Sequence, residues 1–306
     1  MEITFPALDS LNVAVSLAYN TQFFSVGRRC DPFTYDATST GSEEVYPRLD
    51  LIGGLREWLG DRQVEQLSLS SFTIKNKWFE KTISIGRDNI EDDKFGLLTP
   101  AAMQLGENAA QMKDLLIASL MKNGHTAPTY DGQNFFDVAH PNPNADGSAG
   151  TVANYIAGAG APWFMFDVAR VIKPLIWQTR KPFQIIPKFS MTDEQVFWNK
   201  EFEWGVDGRC NAGYGLWQLG AMSMAAPTAA NIVTMRTNMA SIRRPNGAPM
   251  GLRGSLIVAP TSLYPILRQY AENEFLPPGD PGIVSGQPTV NTVRGLFTVL
   301  ENEWLN

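Results

Sequence analysis

Apolar residues recur along this chain first at helical spacing, then at strand spacing, and the changes of period divide it into segments. Leu11, Val15 and Ala18 repeat at helical intervals after Asp9 or Ser10, either of which can cap a helix that ends before Gly27. Residues 1–41 therefore read as an arm carrying one helix. From Gly41 to Asp93 the texture is β-like: Glu43–Leu51 is an extended candidate, Gly53-Gly54 a turn or kink, and Phe72–Ile85 alternates apolar with polar. The alternation slips once. Phe72, Ile74 and Trp78 share one parity while Phe79, Ile83 and Ile85 share the other, as a bulge or a change of covered face produces. Two long strands with a polar connection predict an extended hairpin.

Thr99 followed by Pro100 marks a helix start, the hydroxyl as N-cap and the proline in the first turn, where its missing N–H costs nothing. The stripe Ala102, Leu105, Ala109, Met112, Leu116 and Leu120 then keeps helical period until Lys122 and Gly124 supply the stop. Such a helix is roughly 35 Å long and can brace a whole domain. Asn123–Pro162 is loop-rich and opens a new unit. In it we expect a short helix near Met165–Ile172 stopped by Pro174, a strand around Phe183–Phe189, and a stretch of mixed period from Gln195 to Trp204. A helix capped by Thr228 follows, with Ile232, Met235, Met239 and Ile242 on one face. Ser255–Ala259 reads as a buried strand, Thr261 caps a further helix carrying Leu263, Ile266, Leu267 and Tyr270, and Leu296–Leu305 alternates as a closing strand after a Pro/Gly-rich loop.

With 306 residues, 44% apolar and 18% charged, the chain can bury a large core in about two compact units or one extended one. Its net charge of -6 argues against a protein that coats nucleic acid through phosphate neutralisation, although a local basic patch can survive the average. The apolar run Leu115–Met121, interrupted by Ser119, falls far short of the ~18 residues of a membrane span. No basic stretch followed by an apolar one opens the chain, so a cytoplasmic protein, or something assembled in the cytoplasm, is expected. Cys30 and Cys210 lie far apart without a second Cys or His at metal-ligand spacing, and read as isolated thiols in a reducing compartment.

The usual phosphate-loop, dinucleotide, nucleophile-elbow and zinc-protease motifs are all missing from the chain. Its two histidines, His125 and His140, both fall in loops; His140, before Pro141 and after Phe135-Phe136, is expected to order a turn. Asp88 and the run Glu91-Asp92-Asp93 offer hard oxygens to a divalent cation, but carboxylates just upstream of a helix start also suit the positive end of its dipole, and that is the expected role. No catalytic residue, metal or cofactor is predicted. The aromatics crowding the middle of the chain, Trp163, Phe164, Phe166, Trp177, Phe197, Trp198, Phe202, Trp204, Tyr214 and Trp217, are mostly core by expectation; a sugar- or base-stacking platform is the alternative. One cluster stands out. Arg56-Glu57-Trp58 with Gly60-Asp61-Arg62 puts a tryptophan and opposed charges on the hairpin, residue types that interfaces enrich.

Taken in order, these motifs resemble the Mu-like major head subunit family, whose members carry the HK97-like fold of tailed-phage capsid proteins. The match is carried by Gly54-Leu55-Arg56-Glu57-Trp58 with Gly60-Asp61-Arg62, Asn76, Phe79-Glu80, Arg87-Asp88 and Ile90-Glu91-Asp92-Asp93. Further on it rests on Tyr130-Asp131-Gly132-Gln133, Phe135-Phe136-Asp137, His140-Pro141, Ile172-Lys173-Pro174, Gln178, Arg180-Lys181, Gly205-Val206-Asp207, Arg209, Asn211, Gly213, Gly215 and Trp217-Gln218.

The resemblance implies an α+β, non-enzymatic shell subunit of the virion. Its expected parts are an N-terminal arm (1–41), an E-loop hairpin (42–87), a peripheral domain with a long spine helix (88–125 and 289–306) and a mainly axial domain (126–288). It implies self-assembly as hexamers and pentamers, a separate scaffolding protein because the match begins close to Met1, a portal protein at one vertex, a decoration protein, enclosed double-stranded DNA, and no membrane. Leu55, Arg56, Glu57, Trp58, Asp61 and Arg62 become inter-subunit contact candidates. An encapsulin-like cage that stores cargo is the alternative, and a cytosolic enzyme or sugar-binding domain a remote one. A long hairpin cannot bury both faces in its own chain, so a neighbouring copy must cover it.

Overall fold

The computed structural model describes residues 4–47, 71–92, 96, 98–283 and 287–306. In chain order its elements begin with α1 (Phe5–Ser25), β1 (Thr34–Thr38), β2 (Glu43–Pro47), β3 (Ser71–Lys75), β4 (Lys77–Gly86), α2 (Arg87–Glu91) and α3 (Leu98–Asn123). The short strands β5 (His140–Pro141), β6 (Thr151–Val152) and β7 (Tyr155–Ile156) lead to β8 (Trp163–Phe166), β9 (Leu175–Lys188), α4 (Glu194–Asn199) and β10 (Glu201–Tyr214). The chain ends with β11 (Gly220–Ser223), α5 (Ala229–Ala240), β12 (Leu256–Ala259), α6 (Tyr264–Glu272) and β13 (Thr298–Glu301).

Two sheets organise the body. One has the order β1-β9-β10-β4, the other β13-β12-β8-β11-β7, and β2-β3 and β5-β6 form separate two-stranded ribbons. Helices α1 and α3 lie on one face of the four-stranded sheet: Leu8, Leu11, Val15 and Ala18 meet Ala102, Phe202 and Trp204 there, and the Trp204 indole donates to Asn12 Oδ1 at 3.2 Å. Gly106 sits where the helices touch, and a Cβ at that position would run into the Tyr19 carbonyl. Helix α1 starts before the expected caps: Pro6 occupies its first turn, and Ser10, expected outside, lies within it and donates to the Pro6 carbonyl.

The spine helix α3 is about 39 Å long. Its buried seam departs from the expected stripe, because Ala109, Met112, Leu116 and Leu120 are only half-buried while Lys113 and Asp114 are buried. These two charged side chains hold the linker after α1. Asp114 accepts the backbone N–H groups of Arg29 and Cys30 at 3.1 and 2.9 Å, and Lys113 reaches Asp31 and Asp36 at 2.7 and 2.6 Å.

The phase slip in Phe72–Ile85 falls at Asn76, where the chain changes partner. Before it β3 pairs with β2; after it β4 runs antiparallel to β10 from Lys77↔Cys210 to Gly86↔Glu201. Asn76 fixes the change by donating to Ser39 Oγ and the Gly41 carbonyl while accepting from Gln178. Residues 77–86, expected in the hairpin, thus belong to the body sheet.

The helix expected over Met165–Ile172 is a correction: Trp163–Phe166 is a strand of four buried residues. A continuous apolar run covered on both faces has no period to distinguish strand from helix. The mixed-period stretch resolves into α4 and β10, joined by Lys200 in the left-handed conformation (φ 56°). Thr228 caps α5 as expected, its Oγ1 accepting from Asn231 N. Thr261 does not cap α6; that helix begins at Tyr264, and Thr261 bonds the Asn306 side chain instead. The closing strand shortens to β13, parallel to β12 in the five-stranded sheet. From residues 289–306, the turn Glu303–Leu305 and Asn306 reach the spine helix, where Lys122 Nζ donates to the Asn306 carbonyl at 2.8 Å.

Candidate assembly surfaces

Alternation along β3 and β2 makes a ribbon with one inward edge of side chains and one outward. Ile74 is buried, Val45 is 59% exposed, and Tyr46 stacks on Phe72 with centroids 5.3 Å apart. The body touches the ribbon along its described length: the Phe72 ring stacks on that of Tyr130 with centroids 6.2 Å apart, and Tyr46 and Phe72 line a groove with Tyr35, Ile172 and Leu216. Gln178 of β9 accepts from the Tyr46 hydroxyl at 2.9 Å and donates to the Ile74 carbonyl at 3.1 Å. Among the described residues no third strand pairs with either edge of the ribbon. The interface candidates Leu55, Arg56, Glu57, Trp58, Asp61 and Arg62 lie outside the described residues.

A second surface, which sequence reasoning missed, is the face of the four-stranded sheet turned away from α1 and α3. Along β10 alternate residues are buried, and those between them are partly open. Register places Arg209 between Trp78 of β4 and Lys181 of β9, and both cationic heads sit 5.5 Å from the Trp78 ring centroid. Further along the same face come Glu80, Thr82, Glu203, Gly205 and Asp207. The only sequence signal was Trp78 itself, whose parity agrees with Phe72 and Ile74 but which follows the change of partner at Asn76 and faces outward, 59% exposed.

The remaining chemistry-bearing residues serve the fold. His140 is fully buried, its Nδ1 2.7 Å from Asp131 Oδ2 and its ring stacked 3.8 Å from that of Trp217, so it orders the turn as expected. Burial pushes the Asp131 carboxyl up, but the bond with His140 and the Gln133 N–H outweigh it and hold the group below the usual carboxylate range. Cys30 and Cys210 are free and buried. Burial, and for Cys30 the neighbouring Asp114, pushes both thiols up, that of Cys210 to about 12, so neither is a nucleophile at neutral pH.

In the acidic turn Arg87 pairs with Glu91 at 2.7 Å, and Asp93 lies outside the described residues. No group of three or more His, Cys, Asp or Glu among the described residues is placed to hold a metal ion. Of the central aromatics, Trp163, Phe164, Phe166, Phe202, Trp204 and Trp217 are buried and Trp177 and Tyr214 half-buried. Phe197 and Trp198 depart from this, exposed and edge-to-face on α4. Among the described residues no helix is long and apolar enough to cross a membrane.

The sequence pattern of the family described as Mu-like prophage major head subunit gpT matches residues 8–305. The major capsid protein of Escherichia phage Mu is 35% identical over 248 residues, 79% of this chain and 81% of that protein. The Mu-like prophage FluMu major head subunit of Haemophilus influenzae is 33% identical over 247 residues, 78% of this chain and 79% of that protein. A solved chain from the procapsid of bacteriophage JBD30 superposes with a TM-score of 0.81 at 31% identity, covering 99% of this chain and 100% of its own. A chain of the JBD30 capsid shares the fold, with a TM-score of 0.76 at 23% identity over 90% of each chain.

Proposed function

Because the chain belongs to the family of Mu-like prophage major head subunits, and is therefore a virion capsid protein of HK97-like α+β fold and not an enzyme, we propose that its copies close into hexamers and pentamers around packaged double-stranded DNA, each covering the β2–β3 ribbon of a neighbour. The ribbon carries this reading. A two-stranded ribbon is marginal in water by itself, and edges that no third strand pairs among the described residues invite another chain. In a ring every copy supplies the missing cover to the next, and many moderate contacts add up through multivalency.

In this reading residues 1–41 are the arm and 42–87 the E-loop with β4 returned to the body sheet. Residues 88–125 with 289–306 form the peripheral domain, β13 being shared with the five-stranded sheet, and 126–288 the mainly axial domain. Leu55, Arg56, Glu57, Trp58, Asp61 and Arg62 make the contact to the neighbour and set its register. A separate scaffolding protein, a portal at one vertex and a decoration protein complete the partner set; the JBD30 capsid is described as decorated with minor capsid protein trimers, which supports the last of these. The net charge of -6 suits a wall that encloses DNA without adhering to it. An encapsulin-like cargo-storing cage, and a cytosolic enzyme or sugar-binding domain, gain no support from a family of head subunits.

The test is electron cryo-microscopy of the chain co-expressed with its scaffold. Closed shells with the ribbon of one copy lying on the body of the next are expected; monomers under every condition overturn the reading. Trp58→Ala and Arg56→Glu should leave the subunit folded and impair assembly, and normal shells from both would remove that cluster from the interface.

A further inference from the structure

We propose that the basic end of the outer sheet face is a carboxylate-docking notch, and that its occupant is the acidic turn of a second copy of this chain, Asp88 and Asp92. The inference rests on the capsid reading for the presence of that neighbour. Trp78, Arg180, Lys181 and Arg209, with Ser39 and Thr40, line a shallow notch of about 480 Å³. Lys181 is paired with Asp207 at 2.9 Å. Among the described residues no ion pair engages Arg180, and the nearby Glu44 carboxylate is taken up by donors from Ser39, Thr40 and Gly41. The Arg209 guanidinium lies against the Trp78 ring at the notch. A guanidinium fork matches a carboxylate in two parallel bonds. Stacking on Trp78 holds that fork in place, so little side-chain freedom is lost when it is filled.

The matching acid lies at the other end of the same strand. Past Gly86, Asp88 and Asp92 are exposed, four residues apart on one face of the turn, and no ion pair engages either among the described residues. The ten residues of β4 separate the two charge clusters by about 33 Å. Joining opposite ends of one edge strand head to tail generates a ring where the rotation between copies closes, as hexamers and pentamers require. A nucleic-acid strand fits the notch less well: a track of phosphates would also meet Glu80, Glu203 and Asp207 along the face, while a single turn bearing two carboxylates avoids them.

The experiment is a charge swap in the co-expression system, with thermal unfolding of each purified subunit as the folding control. Wild-type shells establish the capsid premise; wild-type monomers overturn that premise and not the pairing. Given wild-type shells, Arg209→Glu alone and Asp88→Arg/Asp92→Arg alone should each cut shell yield about tenfold or more with unchanged unfolding temperature, and combining them should restore most of it. Should Arg209→Glu fail to fold, Arg180→Glu, on an exposed side chain, carries the same test. Undiminished shells from the variants, or no recovery on combining them, overturn the proposal. So does retention of double-stranded DNA by the wild-type subunit that Arg209→Glu abolishes while shells still form, which would assign the notch to phosphate.

Discussion

The three central strands of the five-stranded sheet, β8, β11 and β12, are buried on both faces, and the four-stranded sheet is covered on one. In the former, Trp163, Met165, Ile257 and Ala259 point into a core shared with α5 and α6, while their neighbours Phe164, Phe166, Leu256 and Val258 point into a second core that includes Ile117 and Met121 of the spine helix. In the latter, Phe202, Trp204 and Val206 are buried under α1 and α3, and Glu203, Gly205 and Asp207 look out. The contrast separates two tasks. Burial on both faces concentrates folding energy in one half of the molecule, and a mixed sheet with one wet face leaves a polar surface and, among the described residues, an edge strand, β4, open to a neighbour.

Truncating the sealed sheet tests that contrast most severely. Trp163→Ala removes a fully buried indole that donates to the Ala225 carbonyl, and should cost about 3–5 kcal/mol, read as a collapse of the unfolding temperature. In the other half the most sensitive point is the helix crossing. Gly106→Leu forces α1 away from α3 against backbone, and a loss of about 3 kcal/mol with early exchange of the α1 amides is expected.

Asp280 sharpens the comparison through pH. It accepts from the Ala229 N–H at 2.9 Å, the Tyr270 hydroxyl at 2.5 Å and the Gly282 N–H at 2.7 Å, tying α5 to α6. Burial raises its pKa, but these bonds outweigh it and the carboxyl titrates below its ordinary value. Its stabilisation is therefore complete above the unfolded pKa of about 3.9 and is lost as pH falls toward the folded value. Asp280→Ala should cost about 2 kcal/mol at neutral pH and flatten the acid limb of the stability curve; an unchanged acid limb would deny the tie. The smallest effect belongs to the open face: Trp78→Ala should shift subunit stability by under about 0.5 kcal/mol while slowing assembly, measured by light scattering.

Much of this division was legible residue by residue. The Thr228 cap and the Ile232, Met235 and Met239 face of α5 lie where the pattern put them, because a capped amphipathic helix carries its own local signal, whereas Ile242, expected on that face, falls past the helix end at Ala240 and packs into the other core. The parity slip marked a real event, but the pattern alone could not say that Asn76 hands the chain from a ribbon to a sheet. Lys113 and Asp114 were invisible as core, since a charged residue reads as surface until its partners, Asp31, Asp36 and two backbone amides, are brought alongside.

What the sequence determined by itself is whatever depends on neighbours a few residues away: helix starts, strand parity, the spine helix, and the ordered motifs that place the chain among the capsid subunits. What tertiary structure alone decided is which strands meet and which faces stay open. Trp78 precedes Lys181 by 103 residues of chain and Arg209 by 131, and the three become one surface only through the β4–β10–β9 register. Hydrophobic periodicity says that a side is covered and never names the cover, because burial is set by distant contacts and has no direction along the chain.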